Sequence, residues 1–297
     1  MFNYTIKSYN SKCDVDQQFF SILIPSWNNL EMLKICIDSI KKNSTYDHQI
    51  IVHINDGSDG SLDYIKELGV DYTHSDENVG VCYAMNAMAK LVKTDYILYL
   101  NDDMYVCPRW DFYLLEAVKN RNDNLFYFSG TMIEPTLSRN NCVLAPHDFG
   151  FDRSSFKESE LLNFCDKANK HDWFGASWPP SLVHKELWDK VGGYSVEFSP
   201  GMGSDPDFSM KLWNAGVREF RGIGKSLVYH FQSKSTGRVK RNNGRTDFAN
   251  KWGITISYFM KRVLRLGDRY DGSMLVFNKG LRYYCNRIKA KYVVMKK

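Results

Sequence analysis

The stretch DYILYLNDDM, residues 95–104, is a short apolar run that stops on Asn101, Asp102 and Asp103. A run of that length bounded by turn-forming residues is the signature of a buried strand, and here the strand delivers carboxylates at its exit. Reading backward, residues 78–93 (NVGVCYAMNAMAKLVK) carry the small and apolar residues of a helix behind a capping Asn78. Val70 to His74 and Gln49 to Ile54 read as strands, and Leu62 to Leu68 as a short helix. Leu30, Leu33, Ile37 and Ile40 fall near helical spacing, and Phe19 to Ile24 is an apolar run closed by Pro25. Strands alternating with helices predict a mostly parallel sheet covered on both faces. Ligands of such sheets bind beyond the carboxyl ends of the strands. Three of those ends carry polar clusters, PSWNN (25–29), NDGSD (55–59) and NDD (101–103), which points to a single site.

Reading forward, residues from about Leu125 to Trp188 mix short apolar runs, aromatics and polar loops, and their strands have no clear pattern. Glu186 to Val191 reads as a helix closed by Gly192 and Gly193, and DPDFSMKLWNA (205–215) as another, with Pro206 near its start and Gly216 after its end. Val217 to Phe220 and Ser226 to His230 read as the last two strands. Basic helices are expected from Lys251 onward.

The chain has 297 residues, 43% hydrophobic and 25% charged, with a formal net charge of +5, an ordinary globular balance able to bury a full core. The stretch from Lys251 holds many Lys and Arg and few acids, which suits an acidic partner such as a membrane surface, a nucleic acid or a pyrophosphate. Seven cysteines (Cys13, Cys36, Cys82, Cys107, Cys142, Cys165, Cys285) show no C-x-x-C spacing and are expected as free thiols in a reducing compartment. The first twenty residues are polar throughout and lack the apolar core of a signal peptide, and no run approaches a membrane span. A cytoplasmic protein, peripheral at most to a membrane, is the expectation.

Two aspartates in a row most often do no more than close a strand and open a turn. The ordered set changes that. Ile24-Pro25-Ser26-Trp27-Asn28, Asn55-Asp56-Gly57-Ser58-Asp59, Asn78-Val79-Gly80 with Ala84 and Asn86, and Asn101-Asp102-Asp103 together resemble the family 2 glycosyltransferases, inverting enzymes of the GT-A fold. The resemblance runs over about residues 19–253 and is strongest before Trp110. It implies an α/β architecture: a Rossmann-like, nucleotide-binding mixed sheet flanked by helices, with a small basic helical appendage. The domain division expected is 1–18 as an extension, 19–250 as the GT-A domain (19–110 nucleotide-binding, 111–250 acceptor-binding) and 251–297 as the appendage.

The resemblance also implies roles. Pro25, Ser26, Trp27 and Asn28 would line the nucleotide pocket, and Asp56 would hydrogen-bond the base. Asn78, Gly80 and Asn86 would run beside ribose and sugar, with Gly80 allowing close approach of backbone to ligand. Sugar transfer from a nucleotide leaves a diphosphate with growing negative charge, which Mn²⁺ or Mg²⁺ can stabilise using few protein carboxylates. Asp103 matches the acid expected to bind that ion, and Asp102 sits beside it. Asn101 stands where the family has an acid and supplies no charge, so a further ligand is needed; His230, at the end of SLVYH, matches one. Lys234, Ser235 and Arg238 in the following loop are candidates to close over the pyrophosphate.

An acceptor hydroxyl needs a base, and Asp205 falls on the family's catalytic acid, with Ser204 in place of a Glu and Asp207 two positions on. Trp178 is a candidate to stack on an acceptor sugar, and Lys251-Trp252-Gly253 resembles a structural block. The expected partners are a nucleotide-sugar donor, UDP by default with dTDP and GDP open, and a saccharide, lipid-linked or protein-linked glycan acceptor. Two alternatives stand beside this reading. One is an inactive carbohydrate- or nucleotide-sugar-binding protein of the same fold, which Asn101 and Ser204 keep open. The other is a nucleotidyltransferase, against which PSWNNLEMLK lacks the glycines of a phosphate loop. No nucleic-acid-binding signature is present.

Overall fold

The computed structural model describes residues 4–11, 18–119, 121–233 and 242–296. The first half runs β1 (Lys7–Tyr9), β2 (Phe20–Trp27), α1 (Leu30–Asn43), β3 (Gln49–Asn55), α2 (Ser61–Leu68), β4 (Asp71–Ser75), α3 (Gly80–Met88), β5 (Tyr96–Tyr99), β6 (Met104–Val106) and α4 (Trp110–Lys119). The second half continues with β7 (Phe126–Ile133), α5 (Glu158–Cys165), β8 (Trp173–Phe174), β9 (Ser181–His184), α6 (Lys185–Val191), α7 (Ser204–Asn214) and β10 (Glu219–His230). The chain then adds α8 (Gly244–Trp252), α9 (Ile256–Tyr258) and α10 (Leu281–Met295).

One mixed sheet takes the order β1-β4-β3-β2-β5-β9-β7-β10-β6, with β8 also pairing to β10. Strands β4, β3, β2 and β5 are mutually parallel. Strand β9 runs antiparallel to both β5 and β7, and β10 is parallel to β7. The two halves of the sheet therefore point the same way and open their carboxyl ends along one edge. The residues expected as an N-terminal extension supply β1, which covers the outer edge of β4.

The strands are buried on both faces, so their residues divide by parity. Ile22, Ile24, Val52, Ile54, Leu98 and Leu100 pack with Leu33, Ile37 and Ile40 of α1 and Trp110 and Leu114 of α4. Leu23, Ile51, Ile97 and Tyr99 face the opposite layer, with Cys82, Met85 and Met88 of α3, Trp188 of α6 and Phe208 of α7. Leu33 and Ile37 are fully covered, and each such side chain contributes roughly 1.5–3 kcal/mol of apolar burial.

The two strands expected at 217–220 and 226–230 are one long strand. The register of β10 against β7 shifts between Ile223 and Leu227, so Gly224 to Ser226 leave the ladder, and this break is what the sequence pattern displays as a gap. Cys36, Cys82, Cys107, Cys142, Cys165 and Cys285 are free thiols, and Cys13 lies outside the described residues.

Residues on both sides of position 250 belong to α8, whose end is tied to α7. The Trp252 indole Nε1 donates to Asp207 Oδ1 at 2.7 Å, and Lys251 Nζ lies 2.9 Å from the same oxygen. Asp207 is completely buried, and through these two contacts it anchors α8 to α7. Asp207→Ala strands the Trp252 donor and should cost about 1–3 kcal/mol, measurable as a lower urea midpoint at unchanged m.

Candidate active site

A cleft of about 530 Å³ opens at the shared carboxyl edge, within the range of small-ligand sites. Pro25, Ser26 and Trp27 enter it from β2, Asn101, Asp102 and Asp103 from the turn after β5, and His230 from the end of β10. Asn78 and Gly80 come from the start of α3, and Ser204 and Asp205 from the first turn of α7. The motifs read along the chain thus meet around one cavity.

Strand register explains the acidic corner. Strand β10 pairs with β6 so that His230 lies opposite Met104, next to Asp103. The same strand pairs with β7 so that Tyr229 lies opposite Ile133, next to Glu134. His230 is therefore gripped on both nitrogens, with Nε2 3.4 Å from Asp103 Oδ2 and Nδ1 3.3 Å from Glu134 Oε1. Burial opposes a charge on the imidazole, but the hydrogen bonds to Asp103 and Glu134 outweigh it and raise its pKa to about 9. Asp103 Oδ2 also accepts from the Ser233 amide at 2.8 Å, while Asp102 Oδ2 accepts from Ser26 Oγ at 2.7 Å, joining the ends of β2 and β5.

Asp103 and His230 are the residues here that could hold a divalent ion, once His230 gives up the proton that Asp103 and Glu134 hold on it. Neighbouring ligands on one Mg²⁺ or Mn²⁺ stand about 3 Å apart, close to the Asp103–His230 separation, and these ions prefer to share their remaining positions between water and phosphate. Among the described residues no three His, Cys, Asp or Glu side chains form a complete metal cage. Glu134 on the far nitrogen of His230 is the carboxylate–histidine support usual behind a metal ligand.

Asp205 lines the same cleft. Burial lifts its pKa to about 7, against the opposing effect of the Tyr194 hydroxyl, which donates to Oδ1 at 3.0 Å. Tyr194 is itself fixed: its ring stacks on Phe208, centroids 4.8 Å apart, and its backbone is clasped by Asn86. The Asn86 amide donates to the Tyr194 carbonyl and accepts from the Tyr194 N–H, each at 2.8 Å.

Several expected residues are committed to neighbouring groups of the protein. Asn86 does not line the cleft; both ends of its amide are committed to Tyr194, and it reaches the site only through that ring. Asn28 and Asp56 also lie outside the lining, bracing two turns against each other. Asn28 Nδ2 donates to Asp56 Oδ2 at 2.8 Å, and Gly57 N donates to Asn28 Oδ1 at 3.0 Å. That amide, with Ser58, holds the Asp56 carboxyl below its usual pKa. Both residues have positive φ, 45° for Asn28 and 64° for Asp56, the left-handed geometry that sharp strand exits demand.

Gly80, at φ 76°, lines the cleft, but its missing side chain serves the protein: a Cβ there would fall 2.5 Å from Pro200 Cα. The close approach it permits is to the Ser199–Pro200 segment, whose carbonyl accepts from Val81 N. Trp178 is not among the residues lining the cleft and stacks on the buried Trp173, centroids 5.4 Å apart. Lys234, Ser235 and Arg238 lie outside the described residues.

Residues to which the sequence reading gave no role complete the site. Asn55 is buried and ties three segments, donating to the Ser26 carbonyl and accepting from Val79 N. Tyr99, Pro200, Met202, Gln232 and Ser233 also line the cleft. Glu134 carried a signal in principle, since it closes the apolar run FYFSGTMI as Asn101 closes YILYL.

Residues 21–168 match the model of glycosyl transferase family 2. The chain is 24% identical over 277 residues to a chondroitin synthase of Escherichia coli, which covers 82% of this chain and 38% of that protein. It is 33% identical over 216 residues to a teichoic acid poly(glycerol phosphate) polymerase of Staphylococcus epidermidis, covering 67% of this chain and 27% of the relative. The chain thus spans well under half the length of either. Among solved structures it resembles GalNAc-T7 with UDP, GalNAc and Mn²⁺, at a TM-score of 0.57 and 15% identity, covering 84% of this chain and 50% of that one. It also resembles S. aureus TarS 1-349 in complex with UDP, at 0.52 and 12%, covering 71% and 60%. At those identities the structural likeness shows the fold.

Proposed function

The chain belongs to glycosyl transferase family 2, and on that premise we propose that it transfers a sugar, with inversion, from a nucleoside diphosphate donor to a hydroxyl of a glycan or glycoconjugate. The observation that carries this reading is the meeting of two chemistries in one cleft, the Asp103–His230 corner and Asp205. UDP as the nucleotide and Mn²⁺ as the ion are supported by the ligands of GalNAc-T7 and TarS. An acceptor of the glycan or glycoconjugate kind is supported by the relatives named for chondroitin and teichoic acid.

Pro25, Ser26 and Trp27 form the wall for the nucleotide, with Asn55 holding that turn in place from below. Asp103 and His230 would hold Mn²⁺ or Mg²⁺, and Glu134 would keep His230 Nε2 turned toward the ion. When bound, the ion supplies positive charge for the departing diphosphate. Asp205 takes the proton of the acceptor hydroxyl as its oxygen bonds to the anomeric carbon and the carbon–diphosphate oxygen bond breaks. A carboxylate with a pKa of about 7 suits that task, because it is half ionised near neutrality and a stronger base than an exposed aspartate. Tyr194 aims the carboxylate and Asn86 aims Tyr194.

Titration calorimetry with UDP, GDP, dTDP and CMP, each with and without Mn²⁺, tests the donor side. One nucleoside diphosphate should bind, and Mn²⁺ should tighten it at least tenfold; a folded sample that binds none of them would overturn the proposal.

A further inference from the structure

Helix α10 carries two apolar faces, and the fold uses only one. On the inner side Ala290 is buried, Tyr283 packs on Tyr258 and Phe277, and Asn286 is bonded to both the amide and hydroxyl of Thr255. Those contacts set the rotation of the helix. The opposite side then presents Leu281, Tyr284, Ile288, Tyr292 and Met295, 80%, 55%, 71%, 56% and 82% exposed. Their spacing of three, four, four and three residues puts all five on one stripe.

At 100° per residue, Arg282, Lys289 and Lys296 fall along one flank of that stripe and Arg287 and Lys291 along the other. From Lys279 to Lys297 the sequence has seven Lys and Arg and neither Asp nor Glu. A solvated helix has no use for five exposed apolar side chains in a row. An apolar stripe between two basic flanks matches the layering of an anionic bilayer surface, with acyl chains under the stripe and phosphates beside the basic heads, whose stems reach outward along it. Among the described residues no helix is long and apolar enough to cross a membrane, so the contact would lie in the plane of the surface.

We propose that α10 docks the protein onto anionic lipid through the stripe Leu281, Tyr284, Ile288, Tyr292 and Met295. The inference is independent of sugar transfer, and nucleotide binding can be scored separately on the same samples. The full chain is to be sedimented with vesicles of phosphatidylcholine alone or mixed equally with phosphatidylglycerol. Binding is expected to the mixed vesicles, at least tenfold weaker to the neutral ones, and weaker as salt rises. Ile288→Asp with Tyr292→Asp, and separately Lys289→Glu with Lys291→Glu, should each reduce it at least tenfold with circular dichroism unchanged. Absence of binding to the mixed vesicles overturns the proposal, as does binding that the stripe variant leaves intact. Self-association that the stripe variant abolishes, in a protein that ignores vesicles, would assign the face to a second copy of the chain instead.

Discussion

Asp205→Asn is expected to lower kcat by about 10²–10⁴-fold, the usual contribution of a positioned general base, while leaving nucleotide affinity within about twofold. Asn keeps the shape and the oxygen that accepts from Tyr194 Oη, so the change removes basicity and little else. In the parent enzyme kcat/KM should fall tenfold per pH unit below about 7, because only the ionised carboxylate accepts the proton, and this limb should vanish in the variant. Stability provides the control. Burial raises the Asp205 pKa above that of the unfolded chain, so its neutral form favours the fold and that benefit is lost as pH rises from about 4 through 7. Asp205→Asn should therefore gain stability relative to the parent as pH rises from about 4 to 7. Undiminished turnover in a folded Asp205→Asn protein would remove Asp205 from the chemistry.

The second large effect is at Asp103. Asp103→Asn retains an oxygen to accept from Ser233 N but lacks the charge an ion requires. The Mn²⁺-dependent part of nucleotide affinity should disappear, with binding in EDTA unchanged. Glu134→Gln, one bond further out, should weaken Mn²⁺ by about 10–100-fold, the range for a lost partner behind a ligating histidine. The gradient from Asp103 to Glu134 separates a metal site from a structural ion pair, in which the two substitutions would act alike and chiefly on stability.

The sequence by itself determined the alternation of strands and helices through residue 110, because both signals are local. Buried parallel strands are short apolar runs such as Phe20–Ile24, and the polar residues that follow them mark the open edge. The same reading placed Ser26, Trp27, Asp102, Asp103, His230 and Asp205, and all six line the cleft. It also singled out Asn28, Asp56 and Asn86, whose amides and carboxylates the fold spends on neighbouring turns and on Tyr194. A motif records which side chains a site depends on, without separating those that face the ligand from those that brace the ones that do.

Only the tertiary structure decided the rest. Glu134, His230 and Asp103 are far apart in the chain and meet because β10 pairs with β6 and β7 in one register; a shift of a single residue would turn His230 to the other face of the sheet. Tyr194 reaches Asp205 from a loop held by Asn86, more than a hundred positions earlier. Helical periodicity in α10 is visible in its sequence, but which of its two apolar faces is spent inside depended on the contacts of Tyr283, Asn286 and Ala290. Local patterns report what each segment can bury. Register and helix rotation are settled by the partners it is buried against, and those come from elsewhere in the chain.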